Sequence, residues 1–281
     1  PTSLSFASFG DTATIAATVK DAEGNTMSGA TVTWATSDEA VATVSSAGLV
    51  TSVADGTVTI TATSGEVSDT GAVTVAQVAS TVELSATTVS LTSIGDTATL
   101  TATVKDAAGS EVAGSTVTWA TSAESVATVS STGLVTAVAD GTATITATSG
   151  SLEATAALTV AQTAASIELS DTVPSFSSIG DGVRLLATVR DANNNTIPDA
   201  TVAWATSDES VATVSAAGLV TSVANGTATI TATSDSVSAT ARVTVSQVAA
   251  SLSLSPTSLS FSLAGDTTTI VATGVDAGGS V

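Results

Sequence analysis

The chain has 281 residues, 25 acids against 5 bases, a formal charge of −20, and neither Cys nor His. These absences exclude disulfides, thiolate or imidazole metal centres, and any catalytic arrangement built on Cys or His. So acidic a surface repels nucleic acid and anionic membrane faces, and no apolar run approaches the roughly 18 residues of a membrane span, so neither nucleic-acid binding nor membrane insertion is expected.

The sequence repeats itself. Trp34, Trp119 and Trp204 stand 85 residues apart, and Gly10-Asp11, Gly95-Asp96, Gly180-Asp181 and Gly265-Asp266 keep the same step. A fixed period without insertions marks an array of one small module. Boundaries are predicted at 1–77, 78–162, 163–247 and 248–281. The first module lacks its lead-in residues and the fourth is truncated, as expected of a stretch of a longer protein. Acids fall 8, 7, 8 and 2 over these modules, so the charge is a solvated exterior and not a tail.

The elements of the second module follow in chain order. Val82–Leu84 and Val89–Leu91 read as short opening strands. Thr97–Val104 alternates strictly, with Ala98, Leu100, Ala102 and Val104 on one face and Thr on the other. A period of two predicts a strand buried on one side, and the β-branched residues suit the pleat. Thr116–Trp119, Val126–Val129, Leu134–Val138, Thr142–Thr148 and Ala154–Val160 repeat the pattern. Ser122–Ser125 is expected to form one helical turn. Gly95-Asp96, Asp106–Gly109, Gly133, Asp140-Gly141 and Ser149-Gly150 supply the turns.

About seven short strands in so small a module predict an all-β, two-sheet sandwich. The single Trp of each module, Trp34, Trp119 and Trp204, is expected to plug a core otherwise made of Ala, Val, Leu and Ile. Its replacement by Ala would cost about 3–5 kcal/mol.

The junctions Val75–Ser80, Val160–Ala165 and Val245–Ala250 contain neither Gly nor Pro. They do not read as flexible tethers. Equal repeat length gives each junction the same rotation, so modules placed end to end as a semi-rigid rod are expected.

Trp119-Ala-Thr-Ser, Ser125-Val-Ala-Thr-Val-Ser-Ser-Thr-Gly-Leu-Val-Thr-Ala-Val and Gly141-Thr-Ala-Thr-Ile-Thr-Ala-Thr resemble the bacterial immunoglobulin-like domain, group 2. The same string stands at Trp34–Thr63 and Trp204–Thr233. The resemblance implies tandem immunoglobulin-like sandwiches without a disulfide. It does not fix function, because such modules occur in surface adhesins, secreted enzymes and phage virion proteins.

No catalytic constellation is expected in this chain. Asp38-Glu39 and Asp208-Glu209 are adjacent carboxylates, but the second module has Ala123-Glu124 there. An isopeptide staple would need Lys20 and Lys105, whose place Arg190 takes in the third module. Calcium is the one cofactor the loops would suit. Asp21, Glu23 and Asn25, and Asp191, Asn193 and Asn195, set oxygen donors at alternate positions, as a partial Ca²⁺ shell requires. At Asp106 the middle donor is lost to Ala108. The competing reading of these loops is a hairpin turn of residues that tolerate positive φ.

The expected role is a non-catalytic stalk of a large bacterial surface or biofilm adhesin, extracellular, contacting its neighbouring modules and leaving any host or cell-surface ligand to domains elsewhere. The alternatives are an extension on a phage tail, fibre or capsid protein, and an accessory array of a secreted enzyme.

Overall fold

A computed structural model describes residues 3–281. Among them there are strands and turns but no helix. The chain divides into two compact units. One runs to Ser90 and includes Thr97–Thr159; the other joins Leu91–Asp96 to Val160–Val281.

The first module is a sandwich of two sheets. One sheet has the order Ser3–Phe6, Val67–Val75, Gly56–Ser64, Thr33–Thr36; the other has Thr12–Thr14, Leu49–Ser52, Ala42–Val44. The third module repeats it with Ser175–Phe176, Val237–Val245, Gly226–Ser234, Ala203–Thr206 against Gly182–Arg184, Leu219–Ser222, Ala212–Val214. The second repeats it with Thr88–Leu91, Leu152–Val160, Gly141–Ser149, Thr118–Thr121 and a sheet of Thr97–Thr99, Leu134–Ala137, Ala127–Val129. Alternation sets which side chains meet. Val58, Ile60, Val73 and Val75 are buried in the first module, and Ala228, Ile230, Val243 and Val245 in the third. Thr57 and Thr59, between them in sequence, face solvent.

The expected single strand Thr97–Val104 is two. Thr97–Thr99 pairs with Leu134–Ala137, whereas Ala102–Lys105 pairs with Thr81–Leu84. Between them Leu100, 2% exposed, donates its N–H to the Gly133 carbonyl at 2.9 Å. The third module makes the same change of partner at Leu185. Ala102–Lys105 and Thr81–Leu84 form a separate two-stranded sheet, whose Val82 and Val104 pack on Ala147 of the four-stranded sheet, so the strand changes partner while its inward residues stay inward. The period of two therefore runs through the break unmarked. The expected helical turn at Ser122–Ser125 is a hydrogen-bonded turn, in which the Ala123 carbonyl accepts the N–H groups of Val126 and Ala127 at 3.0 and 3.1 Å.

Trp34, Trp119 and Trp204 lie on edge strands and are half-buried, packed against the core clusters and not sealed inside them. Each ring rests on a glycine. A Cβ at Gly48, Gly133 or Gly218 would stand 3.1, 2.9 or 3.0 Å from the Trp Cζ2, and these glycines have φ of +77°, +80° and +76°. Space and backbone conformation both demand glycine there. The Trp is thus a half-buried edge residue seated on a glycine, not a fully buried plug.

In residues 248–281, Ala249–Ser255 pairs antiparallel with Val271–Asp276.

Candidate functional site at the module junctions

The junction is built from three parts. The first is the linker backbone, which is hydrogen-bonded to its own module. Ala76 and Val78 donate to the carbonyls of Phe6 and Ala7 at 3.0 and 2.8 Å; Ala161 and Thr163 donate to Leu91 and Thr92, both at 3.0 Å; Ser246 and Val248 donate to Phe176 and Ser177, both at 2.9 Å. These bonds pair the linker backbone with the opening segment of its own module.

The second part is a glutamine. The chain has three Gln, one per junction: Gln77, Gln162 and Gln247. Gln77 donates its backbone N–H to Asp55 Oδ1 at 2.8 Å, in its own module. Gln247 does the same to Asn225 Oδ1 at 2.7 Å. The side chains reach the next module, where Nε2 donates to Oδ2 of Asp106, Asp191 and Asp276 at 2.9, 2.8 and 3.0 Å.

The third part is that aspartate. Asp106, Asp191 and Asp276 are 2%, 2% and 4% exposed. Oδ1 closes the aspartate's own loop, accepting N–H from Ala108 and Ser110, from Asn193 and Asn195, and from Ser280. Oδ2 accepts the glutamine together with a backbone N–H from the Gly-Asp turn of the preceding module: Phe9 at 3.1 Å, Ile94 at 2.9 Å and Ile179 at 2.9 Å. Each set of residues lies within one compact unit, the Asp106 junction in the first and the other two in the second.

A carboxylate removed from water needs hydrogen bonds to remain charged. Burial is the largest influence at Asp106 and Asp191 and pushes their pKa up. The glutamine amide and the backbone N–H groups together outweigh it, so both titrate below the usual aspartate value. At Asp276 the Gln247 amide is the largest influence, followed by the Ile179 N–H, and the net direction is again down.

The aspartates proposed for calcium thus hold N–H donors on both oxygens. Asn193 and Asn195 point their amide nitrogens at the Ile94 carbonyl, at 3.1 and 2.8 Å, and Asn193 also donates to Asp96 Oδ1 at 2.8 Å. Asp21 is exposed; its Oδ1 accepts N–H from Glu23 and Asn25, and its Oδ2 accepts the Asn25 amide. Glu23 is exposed beside it. Among the described residues no group of three or more acidic side chains is placed to hold a metal.

The glutamines are what sequence reasoning missed. Their signal was present: the same uncommon residue, at the same place, in every junction.

A comparison with curated proteins finds no match. Among solved structures, the S-layer protein SbsC is 23% identical over 94% of this chain and 41% of that chain, with a TM-score of 0.35. The Escherichia coli adhesin FdeC is 18% identical over 82% of this chain and 90% of that chain, at 0.40. Mouse cadherin-23 EC22–24 is 15% identical over 88% and 94%, at 0.32. The chain spans less than half the length of the longer S-layer chains it matches. Similarity at this level leaves the role of the chain open. The family model of the bacterial Ig-like domain (group 2) matches residues 10–75, 78–160 and 164–245. With three such matches over most of its length, each on an all-β module, the chain belongs to the bacterial Ig-like domain (group 2) family.

Proposed function

We propose that this chain is a non-catalytic spacer from a bacterial cell-surface protein, whose modules, bounded at 1–77, 78–162, 163–247 and 248–281, hold a distal binding domain away from the cell. The observation that carries this reading is the recurrence of one Gln–Asp latch at three junctions, with the same atoms at each. A flexible tether would need no such residues, and a ligand-binding site would differ from module to module. The family membership supports a structural role, and the acidic composition suits a solvent-exposed array. Adjacent modules are the partners that the junction chemistry serves.

Small-angle scattering on chains of one, two and three modules tests the proposal. The maximum dimension should grow by an equal step per module, roughly 30–40 Å. A profile of freely jointed beads would overturn the spacer. So would micromolar binding of a host glycan or receptor by the isolated array.

A further inference from the structure

The three latches share a core but differ around it. At the Asp106 junction, the loop positions flanking the turn are Ala108 and Ser110, and at the Asp276 junction they are Gly278 and Ser280. These residues close the loop through backbone N–H groups. At the Asp191 junction the same positions are Asn193 and Asn195, whose side-chain amides cross to the preceding turn. Both reach the Ile94 carbonyl, at 3.1 and 2.8 Å, and Asn193 also reaches Asp96 Oδ1 at 2.8 Å. Asn195 adds contacts to the Asp191 carboxylate itself at 3.3 Å. The tip of the same loop also carries an asparagine. Asn194 sits at its tip with φ +66°, where the other modules use Gly24, Gly109 and Gly279 at φ +88°, +87° and +87°, and Asn is among the few residues that accept that region.

We infer that the array is graded: the Asp191 junction is reinforced by Asn193 and Asn195, and the Asp106 and Asp276 junctions open first. Where the glutamine is the sole side chain spanning to the aspartate, its loss leaves one backbone N–H on Oδ2. Where two asparagines also cross, the turn stays docked without the glutamine. The device sets where a spacer bends under load. It deepens the spacer reading and rests on it, yet the two fail separately, because scattering tests the array and local exchange tests the ranking.

Amide hydrogen exchange in the full chain reads each latch directly, since the N–H groups of Phe9, Ile94 and Ile179 donate to the three aspartates. Gln77→Ala should speed exchange at Phe9, and Gln247→Ala at Ile179, by about tenfold. Gln162→Ala should speed Ile94 by less than about threefold, until Asn193→Ala and Asn195→Ala are added and the full tenfold appears. Unchanged protection at Ile60, Ile145 and Ile230, one in each core, will show that the modules remain folded. If the alanine pair unravels the loop, Asn193→Ala with Asn195→Ser, the residues that the Asp106 loop carries at Ala108 and Ser110, keeps the turn, removes both amide donors and should loosen Ile94 in the same way beside Gln162→Ala. Equal acceleration at all three amides, or no added effect of the asparagine variants, would overturn the ranking.

Discussion

Asp21 and Asp106 occupy the same position in their repeats and fold the same loop. Oδ1 of each accepts the N–H groups two and four residues ahead, at 3.1 and 2.8 Å for Asp21 and at 3.0 and 2.9 Å for Asp106. Oδ2 separates them. In Asp106 it takes a glutamine amide and a backbone N–H from the preceding module and is buried with them. In Asp21 it takes the amide of Asn25, within its own loop, and is exposed. One aspartate thus performs two separable tasks, a local cap and a tertiary latch, through different oxygens.

The largest expected effect is a control that leaves this distinction untouched. Trp119→Ala should destabilise the second module by about 3 kcal/mol in chemical denaturation, the lower end for a large aromatic because the ring is half-buried. If unfolding of the first and third modules shifted equally, the modules would not be independent units and the division into cap and latch would lose its meaning.

Asp106→Ala set beside Asp21→Ala breaks the comparison more directly. Both should loosen their own turn, seen as faster exchange at Ser110 and Asn25. Only Asp106→Ala should also release Phe9, accelerating its exchange by about a hundredfold, since it removes a charged acceptor. An identical pattern for the two variants would mean that the latch contributes nothing.

Acid should act more gently and in a known direction. Asp106, Asp191 and Asp276 titrate below their unfolded value. A carboxylate depressed by folding adds stability above its unfolded pKa, about 3.9, and that stability is lost as pH falls through the folded value. The junctions should therefore be insensitive to pH from neutrality down to about pH 4 and loosen below it. Exchange at Phe9, Ile94 and Ile179 measured across that range would show this. Loosening centred near neutrality would contradict it.

Much of the sandwich was legible because its information is local. Alternating Thr and Val specify half-buried strands, glycines specify turns, and the constant step specifies the array. Gly133 could be read as a turn but not as the seat of Trp119. The break at Leu100 was hidden, because the inward-facing pattern continues while the strand changes partner. The acidic loops were legible as turns and ambiguous as ligands, since Asp and Asn side chains serve N–H donors and cations with the same oxygens. What the sequence determined by itself was the module, its repetition and the residues allowed at each strand face. What the tertiary structure decided was which oxygen of Asp106, Asp191 and Asp276 faces the preceding module, and that a glutamine 29 residues earlier meets it. That pairing follows from the folded length of the opening strands and their return, a distance in space that no local pattern encodes.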